Sequence, residues 1–179
     1  DMDLVEKAID MDTRFRSELT EKMQAITNLE NPNSVQQMKQ WLSDNGMEVD
    51  SLGKKAVTAL LKTAPPELTE VLELRQQLAK SSVKKYQTMQ RAVCSDSRAR
   101  GMFMFYGANR TGRWAGRLIQ LQNLPQNHLP DLDAARALVK SGDYEAVKMI
   151  YEDVPDTLSQ LIRTAFIPKD GCRFYVADF

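Results

Sequence analysis

The sequence predicts a mainly α-helical protein with a small β portion, an α+β fold, and three observations predict it. Apolar residues recur every three or four positions over residues 1–93, as they do on the buried face of a helix. Near residue 95 this period gives way to a run at 100–106 that is rich in aromatic residues and methionine, which is typical of a strand. A second strand-like run stands at 172–177.

The first part of the chain is predicted to form four helices that are separated by sequence breaks. Ser34 can cap the second helix, which turns Val35 and Met38 inward and stops at Asn45-Gly46. Pro65-Pro66 separates a short third helix from a long fourth one. The fourth helix carries an apolar stripe on one side and basic residues on the other. The predicted helices cover residues 4–26, 35–42, 57–61 and 68–91.

The second part of the chain is predicted to mix strands, a turn-rich stretch and short helices. The strand at 100–106 leads into a turn at 107–112 and then into an irregular stretch up to Pro130. Asp131 can cap a helix, a second short helix holds Val147 and Ile150, and Pro155 can open a third. A turn at 169–171 precedes the run at 172–177, which is predicted to be a buried strand.

Charge is unevenly distributed, although the chain as a whole is neutral. Residues 1–74 hold 8 basic and 14 acidic residues, residues 75–117 hold 10 basic residues and the single acid Asp96, and residues 118–179 hold 6 and 9. The net charges are therefore −6, +9 and −3. A basic middle segment is typical of binding to a phosphate backbone, but a solvated helix face gives the same pattern, and both interpretations remain open.

Composition argues against several other classes of protein and site. No apolar run approaches the roughly 20 residues that cross a bilayer, and residues 1–12 lack the pattern of a signal peptide. Cys94, Cys172 and the single His128 cannot form a structural zinc site of the usual spacing. We expect the two cysteines to be thiols in a reducing cytoplasm.

Four short motifs follow one another in an order that is found in a known enzyme family. They are Thr111-Gly112-Arg113, Leu121-Gln122-Asn123-Leu124-Pro125, Ile162-Arg163-Thr164-Ala165-Phe166 and Val176-Ala177-Asp178-Phe179. Together with Asn33-Ser34, Leu78-Ala79-Lys80 and Tyr86, they resemble DNA polymerases of the polymerase I type (family A), especially those of bacteriophages and prophages. The chain departs from the bacterial members by its 37 residues between Pro125 and Arg163, and by Gln120 and Phe179, which replace an Asn and a Tyr.

The resemblance implies a fold, a function and a set of partners. It implies a helical thumb with long antiparallel helices at 1–94 and the first strands of a palm at 95–179, with an inserted helical segment at about 131–151. It implies a fragment of a template-directed DNA polymerase, which transfers nucleotides from dNTPs to a primer 3′ end during replication in the cytoplasm of a bacterial host cell. The implied partners are primer–template DNA, dNTP and the remainder of the polymerase chain, namely the fingers and the rest of the palm, without a membrane.

The resemblance also implies one catalytic residue. Asp178 corresponds to the first aspartate that binds the catalytic metals, and the backbone carbonyl of Phe179 is implied as a further ligand. The implied cofactor is Mg²⁺, which neutralises charge on the phosphate that is transferred. The second metal-binding aspartate of the family follows a histidine, whereas His128 is followed by Leu129 and Pro130. We therefore expect these 179 residues to have no polymerase activity by themselves.

A second group of residues is implied to bind DNA. Arg113, Gln122 and Asn123 lie along the minor groove in the family, where the purine N3 and pyrimidine O2 acceptors are nearly the same in all four correct pairs. Phosphate contacts are expected from lysines of the fourth helix, and Arg163 is expected near the template. The full predicted set is Thr111, Arg113, Gln120, Gln122, Asn123, Lys80, Lys84, Lys85 and Arg163. The alternatives are a non-catalytic DNA-binding module and a helical interaction protein without a nucleic acid partner.

Overall fold

A computed structural model describes residues 1–81 and 83–175 of the chain. Contacts divide the chain into two compact units. Residues 1–12 belong with the part that follows residue 81, and Thr13–Ser81 forms the other unit, so the first helix contributes to both. The assignment of residues 1–94 to a thumb and of 95–179 to a palm is a functional one, and it stays a prediction.

The unit at Thr13–Ser81 is helical. It contains the greater part of α1 (Met2–Thr27), α2 (Val35–Asp44), α3 (Lys54–Leu60) and α4 (Pro66–Leu78). Ser34 caps α2 as predicted, because its side chain accepts a hydrogen bond from the backbone N–H of Gln37. The buried side chains of this core are Phe15, Leu19, Met23, Met38, Leu42, Leu52, Val57, Leu68, Val71, Leu72, Leu74 and Leu78. Val35, which was predicted to face inward, is exposed.

The predicted long fourth helix is wrong, because the structure has two shorter helices there. Helix α4 ends at Leu78, and α5 (Lys84–Ala92) belongs to the other unit. The guanidinium of Arg16 donates hydrogen bonds to the carbonyl oxygens of Leu78 and Lys80. In a continuous helix these carbonyls would accept from the N–H groups four residues further on. Arg16 therefore satisfies the carbonyls where the helix stops.

The other unit combines helices with a small hairpin. Its further elements are β1 (Phe103–Ala108), β2 (Arg113–Gly116), a 3-10 turn at Leu121–Asn123, α6 (Leu132–Ser141), α7 (Tyr144–Tyr151), α8 (Val154–Leu161) and a 3-10 turn at Ile162–Ala165. Tyr86 of α5 is fully buried and donates its hydroxyl hydrogen to the carbonyl of Leu158, at 2.8 Å. The start of α1 is held to α6 by the carboxylate of Asp1, which pairs with Arg136 and Lys140.

The mainly helical α+β fold is confirmed, and so are the short helices near 131–162. Asp131 was predicted to cap α6, but its side chain makes no capping hydrogen bond to that helix. Its carboxylate instead accepts a hydrogen bond from the Tyr151 hydroxyl at 3.1 Å. Of the two apolar residues named for the second short helix, Val147 is buried and Ile150 is exposed.

The strand predictions are partly wrong. The strand expected at 100–106 lies at Phe103–Ala108, and it pairs with a second strand inside the stretch predicted as irregular. Of the buried strand expected at 172–177, residues 172–175 are exposed coil, and the rest lies outside the described residues. A strand needs a partner for its backbone groups, and none of the described residues pairs with 172–175. Arg173 instead stacks on the ring of Tyr175.

None of the helices in residues 1–81 and 83–175 combines the length and apolarity that crossing a bilayer requires. Cys94 and Cys172 are both free cysteines.

Candidate nucleic-acid interface

The Thr111-Gly112-Arg113 motif forms the tip of the β1–β2 hairpin. The backbone N–H groups of Thr111 and Gly112 both donate to the carbonyl of Ala108, at 2.9 Å. Gly112 has φ +64°, and a Cβ built on it would lie 2.9 Å from the ring of Tyr106, so a glycine is required there for two reasons. Arg113 begins β2 directly after this tight turn and is exposed.

The hairpin contains a bulge that positions its aromatic side chains. Met104 pairs with Ala115 and Ala108 pairs with Arg113, so three residues of β1 stand opposite Trp114 alone. Tyr106 adopts a positive φ of 54° within this bulge. Phe105 meets Trp114 edge to face, with ring centroids 5.3 Å apart. Bulges of this kind redirect side chains and often lie beside functional sites.

The second motif forms a short polar loop that is anchored on both sides. Ile119 and Leu124 are buried, whereas Gln120, Gln122 and Asn123 between them are exposed. Gln120 has φ +56° and begins the 3-10 turn, and its side-chain oxygen lies 3.4 Å from the amide nitrogen of Asn123. The two buried anchors fix a loop whose polar side chains face solvent.

Gln122 lies against the end of β2. A Cβ built on Gly116 would lie 2.3 Å from both the Nε2 and the Oε1 atoms of Gln122, so a side chain at this position would displace the amide. Arg113 and Gly116 are three residues apart on one strand, which spans about 10 Å at the usual rise. The structure therefore brings Arg113 and Gln122 to the two ends of one short strand.

Arg163 joins the third motif to the second. Its Nε donates to the carbonyl of Pro125 at 3.0 Å, and its Nη2 donates to the carbonyl of Leu124 at 2.9 Å. The planar fork of a guanidinium suits two neighbouring acceptors. Two of its nitrogens are thus used to hold the polar loop, and a contact between Arg163 and DNA stays a prediction.

The three predicted lysines do not form one row on one helix. Lys80 follows α4 in the Thr13–Ser81 unit, whereas Lys84 and Lys85 open α5 in the other unit. Lys84 is exposed and Lys85 is half-exposed. Two cations in the first turn of a helix oppose its dipole and cost a few tenths to about 1 kcal/mol each. Lys84 and Lys85 therefore place two positive charges at this end of α5.

The hairpin and loop have an uncompensated positive charge. Residues 97–130 hold five arginines and no acidic residue. Asp96, just before this segment, is engaged by Arg100, whose Nη1 and Nη2 donate to its two carboxylate oxygens at 2.8 and 2.6 Å. These hydrogen bonds hold the pKa of Asp96 down to about 2. Within the described part of the chain, Arg110, Arg113 and Arg117 have no ion pair or hydrogen bond from their guanidinium groups.

Asp178 and Phe179, the predicted catalytic and metal-binding residues, lie outside the described residues. Among residues 1–81 and 83–175, no three histidine, cysteine or acidic side chains group in a way that could hold a metal ion. The predicted Mg²⁺ site therefore stays a prediction.

Sequence reasoning missed the exposed aromatic residues of the hairpin. Phe105 is 72% exposed and Trp114 62% exposed, although large aromatic side chains are usually covered. The sequence signal was present, since an aromatic run and a tryptophan flank the Thr-Gly-Arg turn. Only the cross-strand register shows that the two rings meet.

Unpaired arginines beside exposed amides and aromatic rings are typical of nucleic-acid-binding proteins. A protein named DNA polymerase, from Bacillus phage SP02, is 52% identical to this chain over 180 residues. The match covers 100% of this chain but 28% of that protein, so the chain spans less than a third of its relative's length. No family model matches the chain, and no solved structure matches it. The chain is thus similar to one section of a phage DNA polymerase.

Proposed function

We propose that this chain is the section of a family A phage DNA polymerase that grips the primer–template duplex, comprising thumb and early palm. The observation that carries the proposal is the placement of Arg113 and Gln122 at the two ends of β2, where both are exposed and lie within the segment 97–130, which has no acidic residue. The 52% identity to a phage protein named DNA polymerase supports it.

The proposed contact of Arg113 and Gln122 is with the minor groove. Both side chains carry N–H donors, and the minor groove presents acceptors at nearly the same place in every correct base pair. Donors there test the shape of a pair without reading its identity, which suits an enzyme that must copy every sequence. Asn123 and Gln120 extend the same polar loop, and Thr111 stands at the turn that orients Arg113.

The proposed phosphate contacts come from Lys84 and Lys85 in one unit and Lys80 in the other. Each lysine that neutralises a phosphate adds about −0.9 to the slope of log affinity against log salt. These contacts hold the duplex without reading its sequence. The placement of both Lys84 and Lys85 in the first turn of α5 supports this role.

In the longer polymerase, the proposed role of Asp178 is to supply a carboxylate, and that of Phe179 a carbonyl, to magnesium. When bound, the metal would neutralise charge on the phosphate that is transferred. The triphosphate-binding helix of the fingers and the second metal-binding aspartate of the family are not among these 179 residues. The 179-residue chain should therefore bind primer–template without extending it.

The test is binding of the chain to a labelled blunt-ended DNA duplex at low salt, with Arg113→Ala beside Arg14→Ala. Arg14 is an exposed arginine that pairs with Glu18 at 3.5 Å in α1, so it is matched in type but lies in an acidic segment. Arg113→Ala should weaken binding about tenfold on any sequence, whereas Arg14→Ala should not. Equal affinity of both variants, or no binding at all, would contradict the proposal. Incorporation of dNTP by the 179-residue chain would contradict its expected inactivity.

A further inference from the structure

We infer that the aromatic pair Phe105 and Trp114 is a stacking platform for the bases of single-stranded DNA. The two rings meet edge to face across the hairpin, and both are largely exposed. Phe105 also lies 6.3 Å from the ring of Tyr106, so three aromatic side chains cluster around the bulge. Bases stack on aromatic rings whatever their identity, because every base has a π-face.

The bulge is what exposes these rings. Three residues of β1 stand opposite Trp114 alone, and Tyr106 is held in the left-handed region. Left-handed backbone is unfavourable for a non-glycine residue, and burial does not offset this cost, since Tyr106 is 57% exposed. A costly backbone that displays apolar rings to solvent is expected where the rings have a partner.

The arginines around the hairpin indicate which kind of partner the rings bind. Arg110 lies in the hairpin turn, Arg113 begins β2 and Arg117 follows β2. Residues 97–130 contain no acidic residue. A partner protein segment would meet Arg110, Arg113 and Arg117, which have no ion pair within the described part of the chain, whereas a DNA strand supplies both the phosphates for these arginines and the bases for the rings. The surface therefore fits single-stranded DNA.

The platform is continuous with the proposed duplex-binding residues. Side chains two positions apart on a strand lie on the same face, so Trp114 shares a face with the position at Gly116 that meets Gln122. A strand leaving the duplex near Gln122 would pass the rings next. The identification of this strand as an unpaired primer–template end rests on the proposed function, whereas the ring geometry and the charge do not.

The experiment compares three labelled DNAs at one salt concentration: a mixed-sequence single strand, a blunt duplex and the same duplex with a single-stranded overhang. Trp114→Ala should weaken binding to the single strand about tenfold, as expected for loss of one stacked base. It should also abolish the gain that the overhang gives over the blunt duplex. Trp114→Phe should keep most of the affinity, because it keeps a ring. Met149→Ala, which truncates a 78% exposed side chain of α7, should leave the affinity for all three DNAs unchanged.

The fluorescence of Trp114 supplies a second measurement, which reports contact between the ring and the bases without a comparison of affinities. The chain has two tryptophans, so Trp41→Phe leaves Trp114 as the single probe. Its emission should be quenched when the single strand saturates the chain. Circular dichroism of each variant checks that the fold is retained.

The inference is overturned if Trp114→Ala binds the single strand as tightly as the unaltered chain, or if Trp114 emission does not change. It is also overturned if the chain does not bind single-stranded DNA but self-associates through Trp114, which would make the rings a protein-docking surface. If Arg113→Ala binds the blunt duplex as tightly as the unaltered chain does, that result would instead contradict the proposed duplex-binding function. Quenching by single strands would then still support the platform.

Discussion

The guanidinium of Arg163 donates to the carbonyl oxygen of Pro125 across 38 positions of sequence, at 3.0 Å, and to that of Leu124 at 2.9 Å. The first contact comes from Nε and the second from Nη2, so one side chain holds two successive peptide groups. These carbonyls end the loop that carries Gln122 and Asn123. Arg163 thus positions a polar loop that we propose binds DNA.

Replacement of Arg163 by Ala should destabilise the chain and loosen this loop. Two hydrogen bonds from a charged donor are lost, which costs about 1–3 kcal/mol for a partly exposed site. Urea unfolding measures the change in free energy of unfolding, and proteolysis between residues 120 and 127 reports on the loop. Arg163→Lys, which supplies one cation without the planar fork, should recover part of the stability. Unchanged stability and unchanged proteolysis of Arg163→Ala would show that the contact is not structural.

Replacement of Gly116 by Ala should weaken duplex binding several-fold. The new methyl group would fall 2.3 Å from the Gln122 amide and displace it. Gly116→Ala and Gln122→Ala should therefore not be additive, because both remove the same contact. Gly53→Ala is the matched control, since its Cβ would meet only Ser51 Oγ, at 3.5 Å. Additive effects of the two substitutions on duplex affinity would mean that Gln122 does not act from its place against β2.

Replacement of Tyr86 by Phe should reduce the free energy of unfolding by about 1–2 kcal/mol. The substitution leaves the buried carbonyl of Leu158 without its 2.8 Å hydrogen bond. Denaturant unfolding measures the loss, with Tyr151→Phe as a control whose hydroxyl contact with Asp131 is exposed. A loss for Tyr86→Phe no larger than for Tyr151→Phe would contradict the account.

Burial also raises the pKa of the Tyr86 phenol well above 10. A raised folded pKa means that the unfolded chain gives up this proton first, so stability should fall as pH rises above about 10. Absorbance titration should show at least one of the five tyrosines remaining protonated until the chain unfolds. Ionisation of all five near pH 10 in the folded chain would contradict the burial of Tyr86.

The carboxyl group of Asp96 should titrate at about pH 2, because Arg100 donates two hydrogen bonds to it. A depressed folded pKa contributes stability above the unfolded value, near 3.8, and this contribution is lost as pH falls from there towards 2. Carbon-detected NMR titration measures the pKa directly. Arg100→Ala should return it towards 3.8, whereas Arg98→Ala, whose nitrogen lies 4.0 Å away, should shift it less. A normal pKa in the unaltered chain would contradict the pairing.

The helical part of the fold could be predicted where the signals are local. Apolar periodicity and the cap at Ser34 mark α1 and α2, and Pro66 stands in the first turn of α4. The stop at Leu78 could not be predicted, because it depends on Arg16, which is 62 positions away. Strand β2 was missed because four residues, Arg-Trp-Ala-Gly, are too few for an alternating pattern.

The candidate site could be predicted as a set of residues but not as an arrangement. Arg113 and Gln122 were recognised by their motifs, yet the contact that relates them, between the Gln122 amide and Gly116, depends on the absence of a side chain. The role of Arg163 in holding the loop was missed because its acceptors are backbone carbonyls, which leave no trace in the sequence.

The most direct test of the central claim, that Arg113 donates to minor-groove acceptors, is binding to a duplex in which 3-deazapurines replace the purines. This change removes the N3 acceptor and leaves the phosphates, the major groove and the pairing intact. The unaltered chain should bind the modified duplex more weakly than the normal one, by several-fold, and this difference should be smaller for Arg113→Ala, in which only the proposed contact of Gln122 is left. If the unaltered chain binds both duplexes equally, or if Arg113→Ala distinguishes them as strongly as the unaltered chain does, Arg113 does not read the minor groove.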